Sequence, residues 1–259
     1  MPELPDVEGF REVLRSCGTG RRIRRVDVRD PGVLRGVTVR RLRKELEGRR
    51  LEEPWRHGKW LVAPTDGPRV VWHFGMTGLL LAAAPGDPVA DHDRIVLTLD
   101  DDRRLHYRDQ RKLQGVHLAG SDEGVGHVLG DLGPDALGLA RDTFLERVAG
   151  RRGAVKNVLM DQSVLAGLGN LLSDEILWRA GVAPGRPARD LDEAELRRIH
   201  AAMGRVLRSA VPAARVPPRR TWLTGRRDDR DPVCPRCRGP LSSGRTGGRR
   251  SVWCPACQS

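Results

Sequence analysis

Four cysteines near the C-terminal end place the strongest constraint on how this chain folds. They form two Cys-x2-Cys pairs separated by 16 residues: Cys234, Cys237, Cys254 and Cys257. Each pair offers two thiolates from one turn, and the span between the pairs is long enough for a hairpin, which is typical of a tetrahedral zinc site. Two redox-active pairs are the alternative, but neither pair lies between a strand pattern and a helix pattern. We therefore expect one structural Zn²⁺ that stabilises a module too small to fold alone.

The charge of the chain indicates a polyanionic partner. Lys and Arg number 46 against 34 Asp and Glu, which gives a formal net charge of +12. Nucleic acid is the first candidate for such a partner. The longest aliphatic run, Leu79 to Ala84, is far shorter than the roughly 20 residues of a membrane-spanning helix. With an acidic N-terminus and only Cys17 outside the two pairs, we expect a cytoplasmic protein in a reducing compartment, with no membrane association.

Hydrophobic periodicity predicts an α+β chain with several domains. Helical spacing of apolar residues begins at Val7 and ends at Leu14, and the next stretch, 21–118, alternates as strands do. This pattern predicts an antiparallel β domain, either a sandwich or a barrel, that follows an N-terminal helix. A Gly-rich stretch covers 120–138.

The second half of the chain has helical patterns. A helical domain is expected over 134–211, and its last helix begins with Asp192 and Glu195 at the spacing of a capping box. Residues 212–233 contain Pro, Arg and Asp without apolar periodicity. They are predicted to form a linker to the cysteine module.

The N-terminal residues Pro2 and Glu3 have a possible chemical role. Removal of Met1 would leave Pro2 with a free secondary amine. Because an α-amino group has a pKa of about 7.7–8.0, it is partly neutral at cellular pH and could attack a sugar C1′ to form an iminium, with Glu3 as proton donor. The alternative is an ordinary helix start, with Pro in the first turn and acidic residues at the positive end of the helix dipole.

Lysine is rare in this basic chain, and each lysine is therefore a candidate for chemistry. Only Lys44, Lys59, Lys112 and Lys156 are present among the 46 basic residues. Arginine binds phosphate well but does not release its proton, so it cannot replace an amine base or nucleophile. Lys44 lies in a charged, solvated helix pattern and shows that some of the four are incidental.

Five sequence segments together resemble the formamidopyrimidine-DNA glycosylase/endonuclease VIII family of base-excision repair enzymes. They are MPELPDVEGF at 1–10, HGKW at 57–60, HFGMTG at 73–78, QSVLAGLGNLLSDEIL at 162–177, and the finger that ends in GRRSVWCPACQ. The resemblance implies an N-terminal β-sandwich domain over 1–120, a helix-two-turn-helix domain over 134–211 and a zinc finger over 228–259. It also implies that DNA binds in the cleft between them.

The resemblance assigns roles to individual residues. Pro2 matches the family nucleophile, Glu3 the acid that opens the deoxyribose, and Lys59 the lysine that assists β-elimination. Asn170 in GLGN matches the phosphate-binding asparagine, where glycines let backbone amides approach DNA. The alternative for Asn170 is to cap a helix that begins near Leu171. Both roles are compatible.

Further residues match the family's DNA contacts. Arg249 matches the fingertip arginine that binds phosphate at the lesion, and His92, Arg111 and Arg151 match contacts to the DNA backbone. Met76, Arg111 and Leu113 match the side chains that fill the space left by the everted nucleotide. For each basic residue, the alternative is an ordinary solvated position on the surface. For Met76 and Leu113, the alternative is ordinary core packing.

Three departures from the family pattern bear on specificity. Asp6 replaces a Glu, Leu113 replaces a Phe, and the stretch 208–233 is short. We therefore expect weak specificity for 8-oxoguanine, unless a loop around Lys156 supplies the missing contacts.

The sequence predicts a bifunctional DNA glycosylase and AP lyase that acts as a monomer, associated with the nucleoid, on duplex DNA containing damaged bases or abasic sites. A non-catalytic relative that senses damaged DNA is one alternative. A zinc-ribbon protein that binds RNA is another, because charge and finger alone suffice for it.

Overall fold

The computed structural model describes residues 1–259, which divide into two compact units. The N-terminal unit consists of Met1–Pro2 and Asp6–Gly130, and the C-terminal unit consists of Glu3–Pro5 and Asp131–Ser259. None of the helices is both long enough and apolar enough to cross a membrane.

The N-terminal unit contains two four-stranded antiparallel sheets, with strand orders β1-β6-β7-β5 and β2-β3-β4-β8. Strand bounds are β1 Ile23–Val28, β2 Trp55–His57, β3 Trp60–Pro64, β4 Arg69–His73, β5 Leu79–Ala83, β6 Asp93–Leu99, β7 Arg104–Arg108 and β8 Gly115–Ala119. Its helices are α1 Leu4–Gly18, which starts in the C-terminal unit, α2 Val39–Leu46 and α3 Asp122–Leu129.

Alternation along the strands builds the core between the two sheets. In β4, Val70 and Trp72 are buried in one cluster with Leu97 and Leu105 of the other sheet. Val71 points the opposite way and packs with residues of α3. Because apolar side chains on both sheets share one core, the unit is a β-sandwich, and the predicted fold class is confirmed.

The C-terminal unit is helical and ends in a small β-hairpin. Its elements are α4 Arg141–Val148, α5 Val155–Met160, α6 Asn170–Ala180, α7 Glu193–Ala210, β9 Ser242–Thr246 and β10 Arg249–Trp253. The predicted capping box at α7 is confirmed, since Asp192 accepts the Glu195 N–H at 2.7 Å and Glu195 accepts the Asp192 N–H at 3.1 Å.

One helix lies outside the predicted helical patterns, and one expectation about a linker is wrong. The Gly-rich stretch 120–138 includes α3, which Ser121 caps by accepting the Gly124 N–H. Residues 212–233 are not a free linker, because Trp222, Leu223 and Arg227 are buried. This stretch packs on α6, and its folding depends on those tertiary partners.

Candidate active site

Glu3 is buried at the N-terminus of α6. Its side chain is 1% exposed, and its carboxylate accepts the N–H groups of Gly169 at 3.0 Å, Leu171 at 2.8 Å and Leu172 at 3.1 Å. These N–H groups belong to the first turn of a helix, where no intrahelical acceptors exist. The carboxylate therefore caps a helix that lies 166 residues away in sequence, and the adjacent residue, Pro2, is also buried.

The glycines of the GLGN segment make room for the N-terminal residues. A Cβ on Gly169 would lie 2.4 Å from Glu3 Cδ, and one on Gly167 would lie 2.6 Å from Leu4 Cδ1. Gly167 also has a φ of +112°, which glycine adopts without strain. From the sequence, we expected these glycines to let DNA come close to the backbone. In the structure, their close neighbours are Glu3 and Leu4.

Asn170 does not cap α6. The helix begins at Asn170 itself, the N-cap position is Gly169, and no side chain of the cap residue bonds to the helix. Asn170 Oδ1 is buried without a hydrogen-bond partner in the protein. Glu3 performs the capping, and the Asn170 amide is not required for it.

Lys59 lies in the turn between β2 and β3. This turn is fixed by Arg56, which donates to the Gly58 carbonyl at 2.8 Å and to Glu8 of α1 at 2.8 Å. Burial raises the pKa of Glu8, but hydrogen bonds from Arg11 and Arg56 outweigh it and hold that pKa below its usual range. A buried ion pair thus anchors the turn that presents Lys59.

His73, at the end of β4, is the titratable neighbour of this turn. Burial, then the charge of Lys59 and that of His117, lower the pKa of His73 to about 4. Its Nδ1 accepts the Gly75 N–H at 3.1 Å, and its ring packs edge-on against Trp60. His73 is therefore neutral at physiological pH and adds no positive charge beside Lys59.

Met76, Arg111 and Leu113 lie on two neighbouring loops of the N-terminal unit. Met76 and Leu113 are 41% and 51% exposed, which excludes the core-packing alternative for both. Arg111 is exposed, and its Nη1 lies 3.0 Å from Met76 Sδ. The three predicted void-filling residues therefore project from one surface.

His92 lies in the segment that precedes β6. It is exposed, its Nδ1 is 3.1 Å from Arg94 Nη2, and its carbonyl accepts the Asp109 N–H at 2.9 Å. Asp109 belongs to the loop that carries Arg111. The His92 segment and the Arg111 loop are thus joined by backbone pairing.

In the C-terminal unit, Arg151 and Arg249 are both exposed. Arg151 Nε donates to the Arg147 carbonyl at 2.7 Å. Arg249 is the first residue of β10, directly after the Gly247–Gly248 turn, and forms no side-chain hydrogen bond or ion pair. Its guanidinium is therefore available to an external anion.

A buried polar network holds the hairpin that carries Arg249. Lys156 is fully buried on α5, and its Nζ forms an ion pair with Asp174 Oδ1 at 2.7 Å and donates to Ser251 Oγ at 2.8 Å and to the Arg250 carbonyl at 2.9 Å. Arg227 reaches the other oxygen of Asp174 at 2.9 Å. Burial lowers the pKa of Lys156 and raises that of Asp174. Contacts to a base from this region were an open alternative, and the Lys156 side chain is not available for them because it is helical and internal.

The four cysteines come together in the finger, with their sulfur atoms all within 4.8 Å of one another. The Sγ atoms of Cys234 and Cys257 are 4.0 Å apart, and those of Cys237 and Cys254 are 3.5 Å apart. Zn–S bonds of about 2.3 Å at tetrahedral angles require sulfur separations of about 3.8 Å. The cluster is therefore able to bind one tetrahedral metal ion.

Comparison with known proteins identifies the family. The formamidopyrimidine-DNA glycosylase N-terminal domain matches residues 1–116, and the formamidopyrimidine-DNA glycosylase H2TH domain matches residues 132–216. The chain is 36% identical over 274 residues to a formamidopyrimidine-DNA glycosylase of Symbiobacterium thermophilum, covering 100% of this chain and 89% of the relative. The chain belongs to the formamidopyrimidine-DNA glycosylase family. The predicted resemblance is confirmed.

Other family members match the chain over its whole length. The formamidopyrimidine-DNA glycosylase of Geobacter metallireducens is 35% identical over 271 positions, with 100% of both chains covered. The Lactococcus lactis Fpg in complex with abasic-site DNA has a TM-score of 0.90 at 25% identity, with 100% of both chains covered. MutM in complex with DNA containing carbocyclic 8-oxo-G has the same TM-score at 26% identity and the same coverage.

Membership of the formamidopyrimidine-DNA glycosylase family does not by itself single out Asp109 and Thr77, and the sequence reading missed both. Asp109 is 1% exposed and accepts from the Thr77 hydroxyl at 2.5 Å and from the Arg111 N–H at 3.1 Å. The available signal was an acidic residue two positions before Arg111 in a basic loop. Nothing in the sequence indicates that Thr77, 32 residues away, is its partner.

Proposed function

We propose that this chain, a base-excision repair DNA glycosylase and AP lyase by family, reacts through the amine of Pro2. The observation that carries the proposal is the buried Glu3 carboxylate, which backbone N–H groups hold in place directly after Pro2. Such fixed positioning is what a proton donor to a reacting sugar requires.

The reaction begins with Pro2 after loss of Met1. The amine attacks C1′, the bond from C1′ to the damaged base breaks, and the base leaves with a proton. Glu3 takes a proton from the Pro2 ammonium as this group becomes the nucleophilic amine, and it passes that proton to O4′ as the sugar ring opens, which leaves an iminium between C1′ and Pro2. Loss of a proton from C2′, assisted by Lys59, then breaks the C3′–O bond and cuts the strand.

The substrate is duplex DNA that contains damaged bases or abasic sites. We assign phosphate contacts to Asn170, Arg249, His92, Arg111 and Arg151, and the vacated base position to Met76, Arg111 and Leu113. Exposure of these void-filling residues and the unpaired guanidinium of Arg249 support the assignment. Eversion of the nucleotide costs a few kcal/mol, less for a damaged base, and the void-filling side chains offset part of it.

The four-cysteine cluster is proposed to hold zinc, whose chemistry there is structural. Four thiolates with no open position fit this role. We further propose functional segments at 1–120, 134–211 and 228–259, a monomeric enzyme, and a cytoplasmic location at the nucleoid. Family membership excludes the RNA-binding zinc-ribbon alternative. The curated relatives are named as DNA glycosylases, which argues against the other candidate, a non-catalytic sensor of damaged DNA.

Borohydride trapping separates the two candidates. Wild-type protein and abasic-site duplex should form a covalent adduct, and mass spectrometry should place the adduct on the N-terminal peptide at Pro2. Pro2→Gly should reduce or change trapping, whereas Pro88→Gly, in an exposed loop, should not. No adduct with wild-type protein would favour the sensor, and an adduct mapped to a lysine would contradict the role of Pro2.

A further inference from the structure

A single buried carboxylate connects the loops that present the proposed DNA contacts of the N-terminal unit. Asp109 accepts the Thr77 hydroxyl at 2.5 Å through Oδ1 and the Tyr107 hydroxyl at 3.3 Å through Oδ2. Burial, and then the charge of Asp109, raise the pKa of Tyr107, which keeps its hydroxyl protonated as a donor. Both carboxylate oxygens are therefore occupied from within the fold.

The backbone around Asp109 makes further connections. Its N–H donates to the His92 carbonyl at 2.9 Å, and its carbonyl accepts from Arg94 Nε at 2.7 Å. The Arg111 N–H is shared between Asp109 Oδ1 and Thr77 Oγ1, each at 3.1 Å. The segments that carry His92, Arg111 and Met76 thus meet at one residue.

Thr77 is the link between the two void-filling loops. It follows Met76 directly, and its hydroxyl both donates to Asp109 and accepts from the Arg111 N–H. A short side chain with one donor and one acceptor function fixes two loops at once. Without the hydroxyl, the Met76 loop would lose both hydrogen bonds that the Thr77 side chain makes to the Arg111 loop.

We propose that the Thr77–Asp109 hydrogen bond is a positioning element that makes Met76, Arg111 and Leu113 enter the duplex as one rigid group. This inference rests on the proposed function. Side chains that must fill a void of fixed shape gain rate from being held in place before they bind. The hydrogen bond therefore sets how fast the damaged nucleotide is everted and how strictly the opposite base is distinguished, without contacting DNA.

Thr77→Val in the full-length protein tests the proposal, because valine keeps the shape and removes the hydroxyl. Single-turnover excision of a damaged base should slow by about tenfold, and the rate ratio between opposite cytosine and opposite adenine should fall toward one. Cleavage of a preformed abasic site, where no base has to be everted, should stay within about twofold of wild type. A 2-aminopurine probe next to the lesion should show slower eversion.

Two further variants complete the design. Thr77→Ser keeps the hydroxyl and should restore excision and opposite-base selectivity. Thr98→Val, the same substitution on β6, should change neither. Equal slowing of excision and abasic-site cleavage in Thr77→Val, or excision within twofold of wild type, would overturn the positioning role. Wild-type protein that neither excises a base nor is trapped on abasic DNA would overturn the proposed function and this inference together.

Discussion

Replacement of Glu3 by Gln tests the capping of α6 by the N-terminal segment. The carboxylate binds the N–H groups of Gly169 and Leu172 through Oε2 and that of Leu171 through Oε1. In Glu3→Gln, the amide oxygen can serve one of these two positions, and the NH2 group must occupy the other. The variant therefore leaves at least one buried N–H facing a donor.

The size of the effect follows from these three bonds. An unpaired buried donor costs about 1–3 kcal/mol, and each remaining bond loses about 1 kcal/mol when its acceptor becomes neutral. Loss of a negative charge at the helix N-terminus acts in the same direction. Glu3 is buried, so solvent screens little of this. We expect about 3–5 kcal/mol of local destabilisation at the start of α6.

Hydrogen exchange measured by mass spectrometry reads this change directly. At 1.4 kcal/mol per factor of ten, the amides of Gly169, Leu171 and Leu172 should exchange roughly 100- to 4000-fold faster. In Glu3→Gln, hydrogen exchange in a peptide from α7 should be unchanged. As a control, Glu12→Gln should not change exchange at the start of α6, because Glu12 is an exposed residue of α1 whose side chain binds only Arg15. Base excision should also be lost. Exchange within threefold of wild type over 168–176 would refute the capping argument.

Four other predictions follow from the site. Elemental analysis should find one zinc per chain, and Cys254→Ser should loosen the finger and weaken DNA binding more than it disturbs the β-sandwich. Arg249→Ala should reduce the magnitude of the slope of log K against log salt by roughly one on every duplex, whereas Arg40→Ala should not. An unchanged slope would indicate that Arg249 is a solvated surface residue that does not contact phosphate. The pKa of His73 is about 4 in the folded state and about 6.5 in the unfolded state. This difference contributes up to about 3 kcal/mol to the free energy of unfolding above pH 6.5, and the contribution is lost as the pH falls toward 4. Urea titrations of His73→Gln should lack this pH-dependent contribution. Single-turnover assays should show 8-oxoguanine opposite cytosine cut more slowly than an abasic site, an oxidised pyrimidine or a ring-opened purine, and the reverse order would contradict the specificity argument.

Local sequence patterns predicted the parts of the fold that local interactions determine. The start of α7 could be predicted because Asp192 and Glu195 form reciprocal capping-box hydrogen bonds within one helical turn. The β-sandwich could be predicted because every second residue of β6 (Ile95, Leu97 and Leu99) is apolar and buried in the core, whereas Arg94 and Thr98 are less buried. Helix α3 was missed because Gly124 and Gly126 lower helix propensity, while its stability comes from packing of Val125 against the sheet.

The candidate site depends on contacts between residues far apart in the sequence. The capping of α6 by Glu3 spans 166 residues or more, and the Lys156–Arg250 bond spans 94. The sequence does not show whether a phosphate or a glutamate packs against a glycine such as Gly169. Motif resemblance named the residues, but only tertiary geometry distinguishes these causes.

The packing of residues 212–233 is the basis of our expectation that 8-oxoguanine is not the preferred lesion. In this stretch, the Thr224 N–H binds Glu175 at 3.1 Å and Arg227 binds Asp174 at 2.9 Å, both on buried carboxylates of α6.

Movement of this stretch over a base would break a buried ion pair, at a cost of about 3–5 kcal/mol. Residues 212–221 form neither of these two bonds, but three of them are prolines, which have no backbone N–H. Lys156, the other source of contacts considered from the sequence, is enclosed by Asp174 and Ser251. We therefore expect a preference for 8-oxoguanine to require polar contacts from another part of the chain, and selection among lesions to depend on the proposed void-filling residues and on the ease of eversion.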